Sequence, residues 1–320
     1  VHRYAKSAND GEKKLEARNT KFETISNDQK SELSKRARFR FRNWNLILRV
    51  CLGPRGRFRY SDCGFYFAGV FARQIEHQVT LLSLSKVCKS FGGVSAVRNV
   101  SLTVEQGEIL GVMGPNGSGK TTLFNLVSGA LVPDSGDIYL LGERTNGLPP
   151  HQLCRRGLAR TFQLVRPFPT LTALENVLIG LGYGRERLTG ARAQAKADEL
   201  LTTVGLAGQS ERLASTLTVM GRKRLELARA LATSPKLLLL DEFMAGLTAT
   251  ETAAAINLIR QLQRAGLTVV LVEHIVWALL DLSHRIVVLS AGEKIAEGAP
   301  ASVAKDPHVV EVYLGESKTG

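Results

Sequence analysis

Cysteine, methionine and tryptophan are scarce in this 320-residue sequence, which holds four, three and two of them. Cys51, Cys63, Cys88 and Cys154 have neither paired metal-ligand spacing nor the density of a disulfide-stapled fold, so both classes are excluded and a reducing, cytosolic setting is expected. No apolar run reaches the ~20 residues of a membrane-spanning helix. The most apolar stretch, 267–282, is interrupted by Glu273, His274 and Asp281. Nor does a signal-peptide pattern open the chain, because some forty mixed-charge residues precede its first apolar cluster. Any membrane role is therefore expected to run through partner proteins. The first methionine is Met113, so Val1 is read as no ordinary initiation site, and the opening segment as a fragment's edge or an extension foreign to the domain.

Charge is plentiful but uneven. The net charge is +13, yet residues 1–79 hold 17 Lys and Arg against 8 Asp and Glu, leaving 25 against 21 for the rest. Whole-chain basicity is thus a property of one quarter, and it carries no expectation of nucleic-acid binding. Residues 1–45 are polar and without periodicity, which predicts disorder. Their basic cluster, KRARFRFR at 35–42, is read first as a solvated tail and second as a contact for anionic lipid or nucleic acid. Aromatics scattered among glycines and arginines in 46–79 predict no definite element. The reading is an extension over 1–79 and a folded domain over 80–317, with apolar content (44%) ample for a core.

At 114–121 the sequence GPNGSGKT fills every fixed position of G-x-x-x-x-G-K-[ST]. A short apolar run, 108–113, reads as a buried strand before it, and 120–130 as a helix after it. A strand, a glycine loop and a helix in that order aim backbone N–H groups and a helix's positive end at one point, which suits a polyphosphate. Gly114, Pro115, Asn116, Gly117, Ser118 and Gly119 form the cradle, and Lys120, Thr121 and Thr122 open the helix. Lys120 is expected to reach the β and γ phosphates, and the Thr121 hydroxyl to hold Mg²⁺. Upstream, 81–87 and 100–104 predict strands separated by a glycine-containing turn at 90–97. There Phe91 either stacks on a purine base or covers a strand end.

Downstream, 138–141 reads as a strand, and 171–181 as a helix capped by Thr170 or Thr172. Residues 191–204 and 221–233 read as amphipathic helices, the latter with Leu225, Leu227, Ala228 and Leu231 inward. Helices between the phosphate loop and the next core strand imply a helical subdomain, about 164–234. The run KLLLLDE at 236–242 predicts a strand buried on both faces that delivers Asp241 and Glu242 to its C-terminal end, where α/β sheets bind ligands. Asp241 is expected to bind Mg²⁺ through water, and Glu242 to face an attacking water. After a helix at 250–264, the strand 268–272 ends in Glu273 and His274. A lone histidine is more often structural, but this position marks His274 as a site residue.

Taken in this order, the chain from about 81 to 315 resembles the ATP-binding subunits of ABC transporters. GLARTFQLVRPFPTLTALENVLIG, RKRLELARALATSPKLLLLDE, MAGL and DPHVVEVYLG are most similar to the importer branch for branched-chain amino acids and related amides or carboxylates. The resemblance implies a P-loop NTPase core, a mostly parallel sheet flanked by helices, with an antiparallel β subdomain and an inserted α-helical subdomain. It implies that Phe91 stacks on adenine, that Gln163 senses metal and nucleotide, that Asp241 and Glu242 are the metal ligand and general base, and that His274 bridges to the γ phosphate. The cofactors it implies are ATP and Mg²⁺. The implied partners are a second ATP-binding subunit packed head to tail, two transmembrane permease subunits and, indirectly, a periplasmic solute-binding protein. The implied location is the cytoplasmic face of the inner membrane.

Two positions depart from the family pattern. Its signature, LSGGQ in common form, falls on 217–221 as LTVMG. Thr218 keeps the hydroxyl that meets the opposite subunit's nucleotide, while Val219 and Met220 replace glycines. Either those side chains obstruct close approach, or Gly221 takes over the glycine's role. Phe243 stands where many relatives have proline. A regulatory subunit with impaired hydrolysis is the alternative reading. A single phosphate loop, no long coiled-coil insertion and no N-K-x-D element argue against translation-type, repair-type and GTPase readings.

Overall fold

The computed structural model describes residues 79–162 and 167–314. The first 78 residues and Gln163 lie outside them. The described residues form an α/β fold with two sheets. Strands β1 (Thr80–Phe91) and β2 (Val94–Glu105) make an antiparallel hairpin that continues into β4 (Ser135–Leu140) and β5 (Glu143–Arg144) in the order β2-β1-β4-β5. The hairpin is tighter than the expected turn over 90–97. Only Gly92 and Gly93, both at positive φ, leave the ladder, as a two-residue hairpin turn requires, and Phe91 is the last residue of β1.

The second sheet has the order β10-β9-β3-β8-β7-β6. Its strands are β3 (Ile109–Met113), β6 (Leu158–Arg160), β7 (Leu237–Asp241), β8 (Thr268–Val272), β9 (Arg285–Ser290) and β10 (Glu293–Gly298). All neighbours are parallel except β9 and β10. β3, β7 and β8 are buried at every residue, which is why they read as unbroken apolar runs. Alternate side chains go to opposite faces. Leu238, Leu240, Val269 and Leu271 join one core, and Leu237, Leu239, Val270 and Val272 join another, beneath the antiparallel sheet.

Helix α1 (Lys120–Val127) follows the glycine loop and stops short of the expected 130, with Gly129 at φ +70. After α2 (Pro150–Arg155), the helices α3 (Ala173–Tyr183), α4 (Gly190–Thr203) and α5 (Val219–Ala232) pack on one another between β6 and β7. Thr172, rather than Thr170, caps α3 in a reciprocal box with Glu175. Helix α5 begins two residues before the expected 221, because the Thr218 hydroxyl accepts the Gly221 N–H and serves as its N-cap. Helix α6 (Ala249–Arg264) has the same Thr/Glu box at Thr248 and Glu251. Helices α7 (Val276–Leu282), α8 (Pro300–Val303) and α9 (Pro307–Leu314) complete the described residues. No helix among them is long and apolar enough to cross a membrane.

Candidate active site

The parallel strands deliver the site. β3 runs into the glycine loop, while β7 and β8, paired Asp241 to Val272, end side by side so that Glu242 and His274 emerge together. A cavity of about 180 Å³ is lined by Ala96, the loop from Asn116 through Thr122, Glu242 and His274. The loop's tightness is enforced at Gly114 and Gly119. Both have positive φ, and a Cβ at either would meet a backbone carbonyl, that of Leu289 or of Ala96.

Lys120 is buried, and its ammonium donates to the Gly114 and Pro115 carbonyls at 2.7 and 2.9 Å. Burial lowers its pKa, while the charges of Glu242 and Asp241 partly offset that loss. Among the described residues the Ser118 hydroxyl is buried without a hydrogen-bond partner. A buried ammonium and an unpaired hydroxyl beside an open, glycine-lined loop fit a phosphate chain that would satisfy both.

Glu242 lies just past β7 at φ +51, its N–H donating to the Val272 carbonyl at 2.9 Å. His274 Nε2 is 2.8 Å from Glu242 Oε1. Asp241 does not line the small cavity. Its Oδ2 is 2.8 Å from an Arg160 guanidinium nitrogen, both side chains being more than nine-tenths buried. Arg160 also donates to Asn125 Oδ1 and Ser128 Oγ and stacks over Phe124 and Phe162. Asp241 and Thr121 border a neighbouring cleft of about 780 Å³ between the sheet's edge and helices α3 and α5. The smaller cavity gathers the glycine loop, Glu242 and His274, and the larger one shares Thr121 with it.

The structure therefore brings together the 116–122 segment, Glu242 and His274, with Asp241 adjacent. Phe91, half exposed at the hairpin tip, does not line that cavity. Neither do Thr218 and Gly221. Thr218 is exposed, whereas Gly221 is buried in the first turn of α5 with its N–H already given to Thr218. Gly221 consequently offers no outward donor to replace a signature glycine. Met220, thought of as an obstruction, is a core residue, and only Val219 is exposed.

Residues that the sequence did not flag surround the site. Arg160 holds Asp241, and buried Lys223 donates to the Phe243 carbonyl at 2.9 Å and, at 3.4 Å, to that of Glu242. Buried Glu273 accepts the Met244 N–H at 2.8 Å, and burial pushes its pKa up to about 7. Glu273 could have been found by the signal that marked Asp241, a carboxylate closing an apolar strand. The Tyr313 hydroxyl, on the C-terminal helix, meets the Gly114 backbone.

Comparison with known proteins shows which sequences and folds the chain is similar to. A family model for ABC transporters matches residues 97–245, and one for the branched-chain amino acid ATP-binding cassette transporter matches 293–319. The chain is 38% identical over 251 residues to the high-affinity branched-chain amino acid transport ATP-binding protein LivG of Escherichia coli K12, covering 74% of this chain and 98% of LivG. It is also 38% identical over 238 residues to the lipopolysaccharide export system ATP-binding protein LptB of Haemophilus influenzae, again covering 74% and 98%. The crystal structure of MJ1267, an ATP-binding cassette of an ABC transporter in its ADP conformation, superposes with a TM-score of 0.68 at 32% identity, covering 74% of this chain and 99% of that one. The cassette MJ0796, dimeric in a post-hydrolysis state with ADP and Pi, superposes with a TM-score of 0.63 at 29% identity, covering 69% and 99%.

Proposed function

Because this chain belongs to the ATP-binding cassettes of ABC transporters, an ATPase family, we propose that it powers an importer for branched-chain amino acids or related small solutes. The observation that carries the ATPase reading is the meeting of the Lys120 loop, Glu242 and His274 around one cavity. The observation that favours the solute is the match of the C-terminal residues 293–319 to the branched-chain family model.

Phosphoryl transfer to water needs positioning and charge neutralisation more than covalent help. The loop from Gly114 to Thr122 holds the triphosphate, with Lys120 against the β and γ oxygens. Glu242 takes the proton of the attacking water, and His274 holds the carboxylate through Oε1 while reaching toward the γ phosphate. Phe91 stacks on adenine from the hairpin tip. Thr121 and Asp241, joined by Gln163 from outside the described residues, would hold Mg²⁺, which would neutralise phosphate charge.

Thr218 and Val219 are exposed and do not line their own chain's cavity, which supports the reading that they cover the nucleotide of a second subunit packed head to tail. The cleft bordered by Arg160, Phe162, Tyr183 and Arg229 lies against helices α3 and α5, and we take it as the seat of one of two permease subunits, with the chain peripheral at the inner face of the membrane. We take 80–317 as the ATPase domain.

The test is reconstitution with the permease subunits in liposomes. ATP-dependent leucine uptake that Lys120→Ala abolishes supports the proposal. The equal identity to LptB favours a second reading, lipopolysaccharide export. Lipid extraction without amino-acid uptake would select it.

A further inference from the structure

We propose that Lys223 and Glu273 are positioning residues that hold the Glu242 turn from beneath and tie it to the signature helix. The proposal rests on Glu242 being the general base. Glu242 is a non-glycine residue at φ +51, a conformation that persists only where the surroundings impose it. Backbone groups of three consecutive residues at this turn are held by two buried side chains from different elements. Lys223, on α5, donates to the carbonyls of Phe243 and, at longer range, of Glu242 itself. Glu273, next to His274 at the end of β8, accepts the N–H of Met244.

Both side chains are about 95% removed from solvent, at 5% and 4% exposure. A buried ammonium and a buried carboxyl are costly, and neither contributes to a core that apolar residues could not fill as well. Their contacts fall on the one turn whose direction decides where the Glu242 carboxylate points. Among the described residues Glu273 Oε2 has no hydrogen-bond partner, so the acceptor at Oε1 is what this side chain contributes. Lys223 lies five residues beyond Thr218, just over one helical turn from the cap of α5. A displacement of the signature segment along α5 would therefore reach the Glu242 carbonyl through a single side chain. Hydrolysis would then depend on where the partner's nucleotide holds Thr218.

The experiment is steady-state ATPase and nucleotide binding by the assembled transporter carrying Lys223→Met, Lys223→Arg, Glu273→Gln or Glu273→Asp. Gln keeps an acceptor at the reach of the original side chain, whereas Asp keeps the charge but falls one methylene short. The expected result is a kcat about tenfold lower for Lys223→Met and Glu273→Asp, with ATP affinity within about twofold and recovery in Lys223→Arg and Glu273→Gln. Combining Lys223→Met with Glu242→Gln should add little to the loss from Glu242→Gln alone, since both act through one carboxylate. Full activity in Glu273→Asp with loss in Glu273→Gln would overturn the proposal in favour of a charge role. Equal loss of binding and turnover, or full additivity with Glu242→Gln, would overturn it too. Should Lys223→Met fail to assemble, the Asp and Gln pair at 273 decides alone. Near-normal turnover in Glu242→Gln is the separate outcome that removes the general-base reading itself.

Discussion

His274 Nε2 and Glu242 Oε1 stand 2.8 Å apart, joining the side chains that emerge from the ends of two adjacent parallel strands. His274 is half exposed, so the pair adds at most about 1 kcal/mol to stability. Its weight falls on orientation. His274→Ala should lower kcat by about 10- to 100-fold with the melting temperature nearly unchanged, read from ATPase assays and thermal denaturation of the same preparation. Parallel losses of activity and melting temperature would contradict an orienting role.

The Arg160–Asp241 pair obeys the opposite rule. Both partners are buried, and removal of one leaves the other uncompensated in the core. Arg160→Met should therefore cost about 3–5 kcal/mol in chemical denaturation. A cost below about 1 kcal/mol would mean that Asp241 finds another partner or water.

Stability should also depend on pH through Glu273, whose pKa rises from 4.5 in its ordinary state to about 7. Between those values the folded chain retains a proton that the unfolded chain has released, so stability falls as pH rises through this window. Glu273→Gln has no proton to lose. Relative to the unsubstituted chain it should gain stability, on the order of 3 kcal/mol, between pH 4.5 and pH 8. Urea denaturation at both pH values measures this, and an unchanged difference would contradict it.

Val219 and Met220 separate cleanly by burial. Val219 is 53% exposed at the first position of α5, while Met220 is 7% exposed and packs in the core. If bulk at the signature slows closure of the paired subunits, Val219→Gly should raise ATPase activity of the assembled complex at a stability cost of no more than about 0.5 kcal/mol. Met220→Gly should instead cost several kcal/mol through the cavity it leaves. Unaltered turnover in Val219→Gly would show that this signature closes as it stands.

Much of this was legible in the sequence, for a physical reason. β3, β7 and β8 are covered on both faces, so the strands stand out as apolar runs, and ligands of such sheets gather where the runs end. That logic led to Asp241, Glu242 and His274, while the glycine-loop pattern led to Lys120. The hairpin turn was read too wide because Val94 to Val97 alternate weakly, although the Gly92-Gly93 pair was the stronger signal. Arg160 and Lys223 were missed because their importance lies in what they touch across the chain. Arg222, Lys223 and Arg224 look alike in sequence, and only burial distinguishes the middle one. Gln163 lies outside the described residues.

The central claim is that Glu242 is the base for ATP hydrolysis at a site completed by the assembled transporter. Single-turnover hydrolysis by that complex with Glu242→Gln, alongside nucleotide binding by calorimetry, tests it most directly. The account predicts ATP bound as before and hydrolysis slower by about 10²-fold or more. Hydrolysis within a few-fold of the unsubstituted complex would contradict it.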